Sequence, residues 1–117
     1  EMTQLRQQQC TACRSDATPV TDGELDQMML ELPNWQLEVV EGVKQLEKQF
    51  RFPDYAQSMA FALRVGELAE AEDHHPAILI EWGRVRVTWW THAIKGLHIN
   101  DFICAAKTDQ LVSDSSQ

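Results

Sequence analysis

The chain has 117 residues, 44% of them apolar, which suits a single globular domain and is too apolar for a disordered segment. Its formal charge of −8, with no visible Lys/Arg cluster, disfavours direct contact with nucleic acid. No apolar run reaches the roughly 18 residues of a membrane span, residues 1–9 lack the apolar segment of a secretory leader, and the odd number of cysteines, three, fits a reducing cytoplasm better than a disulfide framework.

Residues 1–18 are polar and aperiodic and read as a mobile arm. Cys10-x-x-Cys13 within it has the spacing of half a zinc site. A four-ligand site needs a second pair, and Cys104 falls inside a predicted helix, so the two thiols read as a reduced pair and no metal is expected. Thr21-x-x-Glu24 is a capping box, with Val20 and Leu25 placed as its hydrophobic staple. A short helix follows to about Leu32, burying Leu25, Met28, Met29 and Leu32. Pro33-Asn34 ends it. Residues 35–40 read as a strand and Glu41-Gly42 as a turn. In the next strand Leu46, Phe50 and Phe52 share one face, interrupted by Lys48, while Gln45, Glu47, Gln49 and Arg51 take the wet face.

Pro53-Asp54 opens a long helix with two apolar rows. One row is Tyr55, Met59, Ala62 or Leu63, Gly66 and Ala69; the other is Phe61, Val65 and Leu68. A face this broad implies burial against both a sheet and a further element. The helix must stop near His74-His75, because Pro76 excludes its predecessor from α geometry. Residues 77–82 and 85–91 are two more strands around Gly83-Arg84, a two-residue turn with glycine first. Trp89 and Trp90 fall on opposite faces of the second, one for the core and one for a subunit contact or a pocket. Gly96 releases the chain into a last helix capped by His98, with Asp101 at its third position and Leu97 and Phe102 as a staple. Phe102, Ile103, Ala106 and Leu111 point inward, and the polar residues 113–117 read as a frayed tail. The order α-β-β-α-β-β-α predicts an α+β domain over residues 19–112, a four-stranded, mainly antiparallel sheet with helices packed on one face. Its short edge strands suggest pairing into a homo-dimer.

Three of the four histidines fall at element ends: His74 and His75 close the long helix and His92 closes the fourth strand. Imidazole is the side chain best matched to proton transfer near neutral pH. Adjacent histidines at a helix terminus point in different directions, so at least one lines a surface or cleft. The helix dipole also favours histidine there for reasons unrelated to function, and spacing alone does not bring the three together.

Glu70-Ala71-Glu72-Asp73-His74-His75-Pro76, then Trp82, Thr91-His92, Gly96-Leu97 and Asp101, in this order, resembles the signature of the pterin-4a-carbinolamine dehydratase family, over roughly residues 21–112. The resemblance implies the same α+β fold, assembled as a homo-dimer or homo-tetramer. It implies dehydration of 4a-hydroxytetrahydrobiopterin to the quinonoid dihydropterin, in functional partnership with an aromatic amino-acid hydroxylase. The pterin is substrate, and neither a metal nor an organic cofactor is implied. His74, His75 and His92 match the catalytic histidines, His74 and His92 handling the leaving hydroxyl and the N5 proton and His75 orienting or sharing. Pro76, Thr91 and Trp82 would bound the pterin pocket, with backbone groups reading its amide-like edge. Glu70 would hold a catalytic histidine, and Asp101 suits capping more than catalysis. Asn100 stands where some members carry an arginine, so any role of that charge is missing here. Animal relatives also act as dimerisation cofactors of a homeodomain transcription factor, which makes a protein-binding regulatory module on the same fold the alternative. A small metal protein built on the three histidines and the cysteines is the third reading.

Overall fold

The computed structural model describes residues 4–11 and 17–115. Local capping starts the first helix: Thr21 Oγ1 accepts the Glu24 N–H at 3.2 Å, and the Glu24 carboxylate accepts the Thr21 N–H at 2.8 Å. Helix α1 runs Asp22–Met29 and is shorter than expected, the chain turning on to bury Leu32. Strands β1 (Gln36–Val40) and β2 (Val43–Arg51) form a hairpin, with Glu41 and Gly42 at positive φ in its turn. Helix α2 (Tyr55–Glu72) is capped by Asp54, which accepts the Gln57 N–H at 2.8 Å. Strands β3 (Ala77–Glu81) and β4 (Arg84–Trp89) form the second hairpin, and α3 (Ile99–Ser115) closes the fold, staying helical into the stretch expected to fray.

The sheet order is β1-β2-β4-β3 and every neighbouring pair is antiparallel, so the α+β architecture expected from sequence is found. Leu46 faces Trp89, Lys48 faces Val87 and Phe50 faces Val85 across the central pair, and α2 and α3 cover this row. Phe61 and Val65 of α2 and Phe102 and Ile103 of α3 complete the core. Lys48, the polar interruption in β2, passes over the Phe50 ring and reaches Asp109 on α3 at 2.6 Å. Asp109 also accepts the Trp35 indole N–H at 3.0 Å, so one carboxylate ties the first hairpin to the last helix. Among the described residues no helix is long and apolar enough to cross a membrane.

Three details differ from expectation. Trp82 and Gly83, not Gly83 and Arg84, make the second hairpin turn. Gly83 takes φ +72, and a Cβ there would sit 3.1 Å from the Phe52 carbonyl, so any other residue would be strained. The helix α2 buries the Phe61–Val65 row, while Tyr55, Met59 and Leu63 are 45%, 50% and 65% exposed. Both rows are apolar, and one chain supplies a partner for only one of them. Residues 4–11, part of the expected mobile arm, are docked on α3: a 3-10 turn at Leu5–Gln7 buries Leu5, and the Leu5 N–H donates to Glu31 at 3.2 Å. Polar composition hid this docking because hydrogen bonds to distant side chains hold the segment. Cys13 lies outside the described residues.

Candidate active site

The end of α2 decides where two adjacent histidines go. Asp73 takes the left-handed conformation (φ 51, ψ 45), and its N–H reaches back to the Ala69 and Glu70 carbonyls. The His74 N–H then bonds the Ala69 carbonyl at 3.1 Å. This is the Schellman closure, here without the usual glycine, since aspartate tolerates the αL region better than most residues. The helix therefore ends at Glu72, two residues earlier than Pro76 alone requires. The reversal turns His74 inward and leaves His75 outside.

His74 is buried, at 6% exposure. Its Nε2 meets Asp101 Oδ1 at 2.6 Å, and its ring stacks on Trp89 with centroids 5.7 Å apart and planes 8° from parallel. Asp101 is fully buried, and its other oxygen accepts the Thr91 hydroxyl at 2.7 Å and the His98 N–H at 3.0 Å. The carboxylate thus joins three elements: the end of α2, the strand end after β4 and the start of α3. The His98 ring completes the cap, Nδ1 accepting the Asn100 N–H at 3.1 Å. The capping role expected of Asp101 is present, and the same side chain also clamps His74. An ionised carboxylate only accepts, so opposite one His74 would present Nε2–H.

His75 and His92 have different surroundings. The His75 Nε2 lies 2.5 Å from Glu70 Oε2, an exposed pair with side chains 56% and 79% accessible. Glu70 thus contacts His75 at the surface and not the buried His74. His92 is exposed and lies against Trp90, centroids 4.5 Å apart. Trp90 is therefore the tryptophan beside the exposed His92, whereas Trp89, fully buried against His74, belongs to the core and donates its indole N–H to Thr108 at 3.2 Å. His92 follows Thr91 directly, so the His74–Asp101–Thr91 chain brings its backbone close to the end of α2.

Two residues expected around the pocket have other surroundings within one chain. The Thr91 N–H is bonded to the Gly96 carbonyl at 2.8 Å, and its carbonyl accepts the Gly96 and Ile94 N–H groups. Its main chain is spent on this local bridge, and the residue is a buried strut under Asp101 instead of a reader of a ligand edge. Trp82 is 74% exposed in the turn at the opposite end of β4. Six residues of strand, at about 3.3 Å each, separate it from the histidines, so within one chain it walls no pocket with them. Pro76, half-buried at the entrance to β3, stays at the histidine end of the sheet.

Sequence reasoning missed the role of Asn100. It is fully buried and grips Thr11 in both directions, its Oδ1 accepting the Thr11 N–H at 3.0 Å and its Nδ2 donating to the Thr11 carbonyl at 2.7 Å. This side chain is an anchor for the N-terminal strap. Glu72 is a second anchor, accepting the Cys10 N–H at 2.9 Å and the Lys107 ammonium at 2.6 Å. Burial alone would raise the Glu72 carboxyl, but the hydrogen bonds from Lys107 and Cys10 and the Lys107 charge together hold it below its ordinary value. No local pattern in the sequence marks either anchor, because their partners lie 89 and 62 positions away. Among the described residues no three metal-ligating side chains gather.

A small α+β domain with one buried, carboxylate-held imidazole and two exposed ones at the same sheet end is equipped for acid–base chemistry. The chain belongs to the pterin 4 alpha carbinolamine dehydratase family, whose model matches residues 18–111. It is similar to a solved transcriptional coactivator/pterin dehydratase from Brucella melitensis, 29% identical over 80% of this chain and 98% of that one, with a TM-score of 0.72. It is also similar to a pterin dehydratase-like protein described as a RuBisCO assembly factor in the alpha-carboxysome, 28% identical over 67% of this chain and 88% of that one, with a TM-score of 0.57.

Proposed function

We propose that this protein dehydrates 4a-hydroxytetrahydropterin to the quinonoid dihydropterin, recycling the cofactor of an aromatic amino-acid hydroxylase in the cytoplasm. The reaction breaks the C4a–O bond, removes the proton from N5 and releases water. It needs one group to protonate the departing hydroxyl and one to take the N5 proton, and no redox change. His74, His75 and His92 are the groups we assign to this work. The single observation that carries the reading is the Asp101 clamp: a fully buried carboxylate fixes the His74 tautomer while tying His74 to the strand end that carries His92. A carboxylate behind an imidazole orients the ring and stabilises the cation formed when it takes a proton. His75 and His92 are exposed, so a flat heterocycle can reach both, and Trp90 offers it an aromatic surface.

The test is direct. A hydroxylase generates the 4a-hydroxypterin and ultraviolet absorbance follows its loss with and without this protein. We expect acceleration, and losses of about 10²-fold or more in His74→Ala and His92→Ala, the scale of acid–base groups. No acceleration by the folded wild-type chain would end this reading.

A protein-binding role on the same fold is the second reading. It is favoured by the uncovered Tyr55, Met59 and Leu63 row of α2, an apolar stripe that a second copy in a homo-dimer or homo-tetramer, or another protein, would cover.

A further inference from the structure

The N-terminal strap converges on one cysteine. The Cys10 N–H is held by Glu72 at 2.9 Å, and its Sγ lies 3.7 Å from the Asn100 carbonyl and 3.3 Å from Cys104 Sγ. The two thiols are 94 positions apart in sequence, and neither takes part in the acid–base site. Their accessibility differs: Cys10 is half-buried in the strap, and Cys104 is fully buried inside α3. The neighbouring residue, Thr11, is gripped in both directions by Asn100, so the strap presents Cys10 to α3 in a fixed position. The sulfurs need to approach by little more than 1 Å to reach bonding distance.

We propose that Cys10 and Cys104 are a redox modification site, forming a reversible disulfide that fastens the N-terminal strap to α3 when the protein meets hydrogen peroxide. The Cys10 sulfur attacks one peroxide oxygen, the O–O bond breaks, and Cys10 becomes a sulfenic acid with release of water. The Cys104 sulfur then attacks the sulfenic sulfur. The S–S bond forms, the S–O bond breaks, and the hydroxyl leaves with the Cys104 proton as a second water. One peroxide is reduced to two waters as two thiols are oxidised to one disulfide. Cys104 is fully buried inside α3, out of reach of dissolved oxidant, while Cys10 is half-buried in the strap. The accessible partner therefore has to react first. In a reducing cytoplasm the pair is dithiol by default, and the bond belongs to the transient, sensing kind.

The test uses the full chain and needs no catalytic readout, so it stands or falls apart from the dehydratase assignment. Native protein is treated with a few equivalents of hydrogen peroxide, alkylated, digested with trypsin without reduction and mapped by mass. Parallel samples are melted with and without dithiothreitol. We expect the peptide of residues 7–14 linked to that of residues 96–107, in Cys13→Ser as in the wild type. We also expect a melting midpoint raised by at least about 5 °C, as closure of a long loop requires, and reversed by dithiothreitol. Cys10→Ser, at the half-exposed position, should abolish the link and the shift while its untreated form melts close to the wild type. Cys104→Ala should behave likewise toward peroxide. A link lost in Cys13→Ser, a bond between Cys10 and Cys13 only, over-oxidised thiols without a cross-link, or a linked form that melts no higher would each overturn the proposal.

Discussion

Asp101→Asn separates the two jobs of the central carboxylate. Replacing Asp101 by alanine would strand the buried Thr91 hydroxyl and His74 ring and the half-buried His98 N–H. Losses of that kind sum to about 3–5 kcal/mol, a large share of the roughly 5–15 kcal/mol that holds a domain together. Asparagine keeps every bond. Its carbonyl oxygen accepts from Thr91 and His98, and its amide N–H₂ faces His74. The amide cannot accept the Nε2 proton, so His74 must flip to the tautomer with Nδ1–H and offer Nε2 as acceptor. Only charge assistance is lost, about 1–3 kcal/mol, or a midpoint lower by about 5–15 °C. The rate should fall much further, about 10²–10⁴-fold, as for other catalytic imidazoles held in the wrong tautomer. Nitrogen-15 spectra of the imidazole identify the tautomer, thermal melts give the stability, and the pterin absorbance assay gives the rate. A variant with the flipped His74 tautomer and a rate within about threefold of wild type would refute the role given to His74.

The pH dependence of the strap and the state of association follow from other contacts. The Glu72 carboxyl is held below its ordinary value of 4.5, so in the fold it gives up its proton more readily than in the unfolded chain. Its stabilisation is fully present above that ordinary value and is lost as pH falls through the lower folded one. Protection of the Cys10 amide from hydrogen exchange, taken against the intrinsic rate at each pH, should therefore fall in acid below about pH 4.5, and Glu72→Gln, which keeps an acceptor for the Cys10 N–H, should flatten that step; an acid step unchanged in Glu72→Gln would assign it elsewhere. If the uncovered row of α2 is a subunit contact, sedimentation of the wild type will give a mass above the 13.4 kDa chain, and Leu63→Glu will shift it toward the monomer; a mass unaffected by Leu63→Glu removes this row from the contact.

What could be read from sequence depended on how far apart the interacting residues lie. Thr21 with Glu24 and His98 with Asp101 are caps written within four residues, and both appear in the structure. The alternation in β2 and β4 fixed their inner faces, with Lys48 accounted for once Asp109 was in reach. The early stop of α2 was not legible, because Asp73 gives no glycine signal for its left-handed turn. The covered row of α2 could not be chosen either: Phe61–Val65 and Met59–Leu63 are equally apolar, and only the sheet decides between them. The docked strap depends on Glu31, Glu72 and Asn100, each far off in sequence. The resemblance supplied three histidines together, whereas the structure sorts them by environment, which no residue list can do.

That sorting has one physical origin. His74 and His75 are neighbours in sequence, and a single left-handed residue gives them opposite fates. Had α2 continued one more turn, both rings would have projected from a helix surface and neither could have reached Asp101. Because the Asp73 turn ends the helix, His74 drops against Trp89 and becomes part of the core's polar seam. His75 stays in water beside Glu70, free to respond to a ligand. One turn thus gives two adjacent imidazoles two environments, one buried against a carboxylate and one in water. The same carboxylate that sets His74 also starts α3 and anchors Thr91, so the geometry of the site cannot loosen without loosening the junction of three elements.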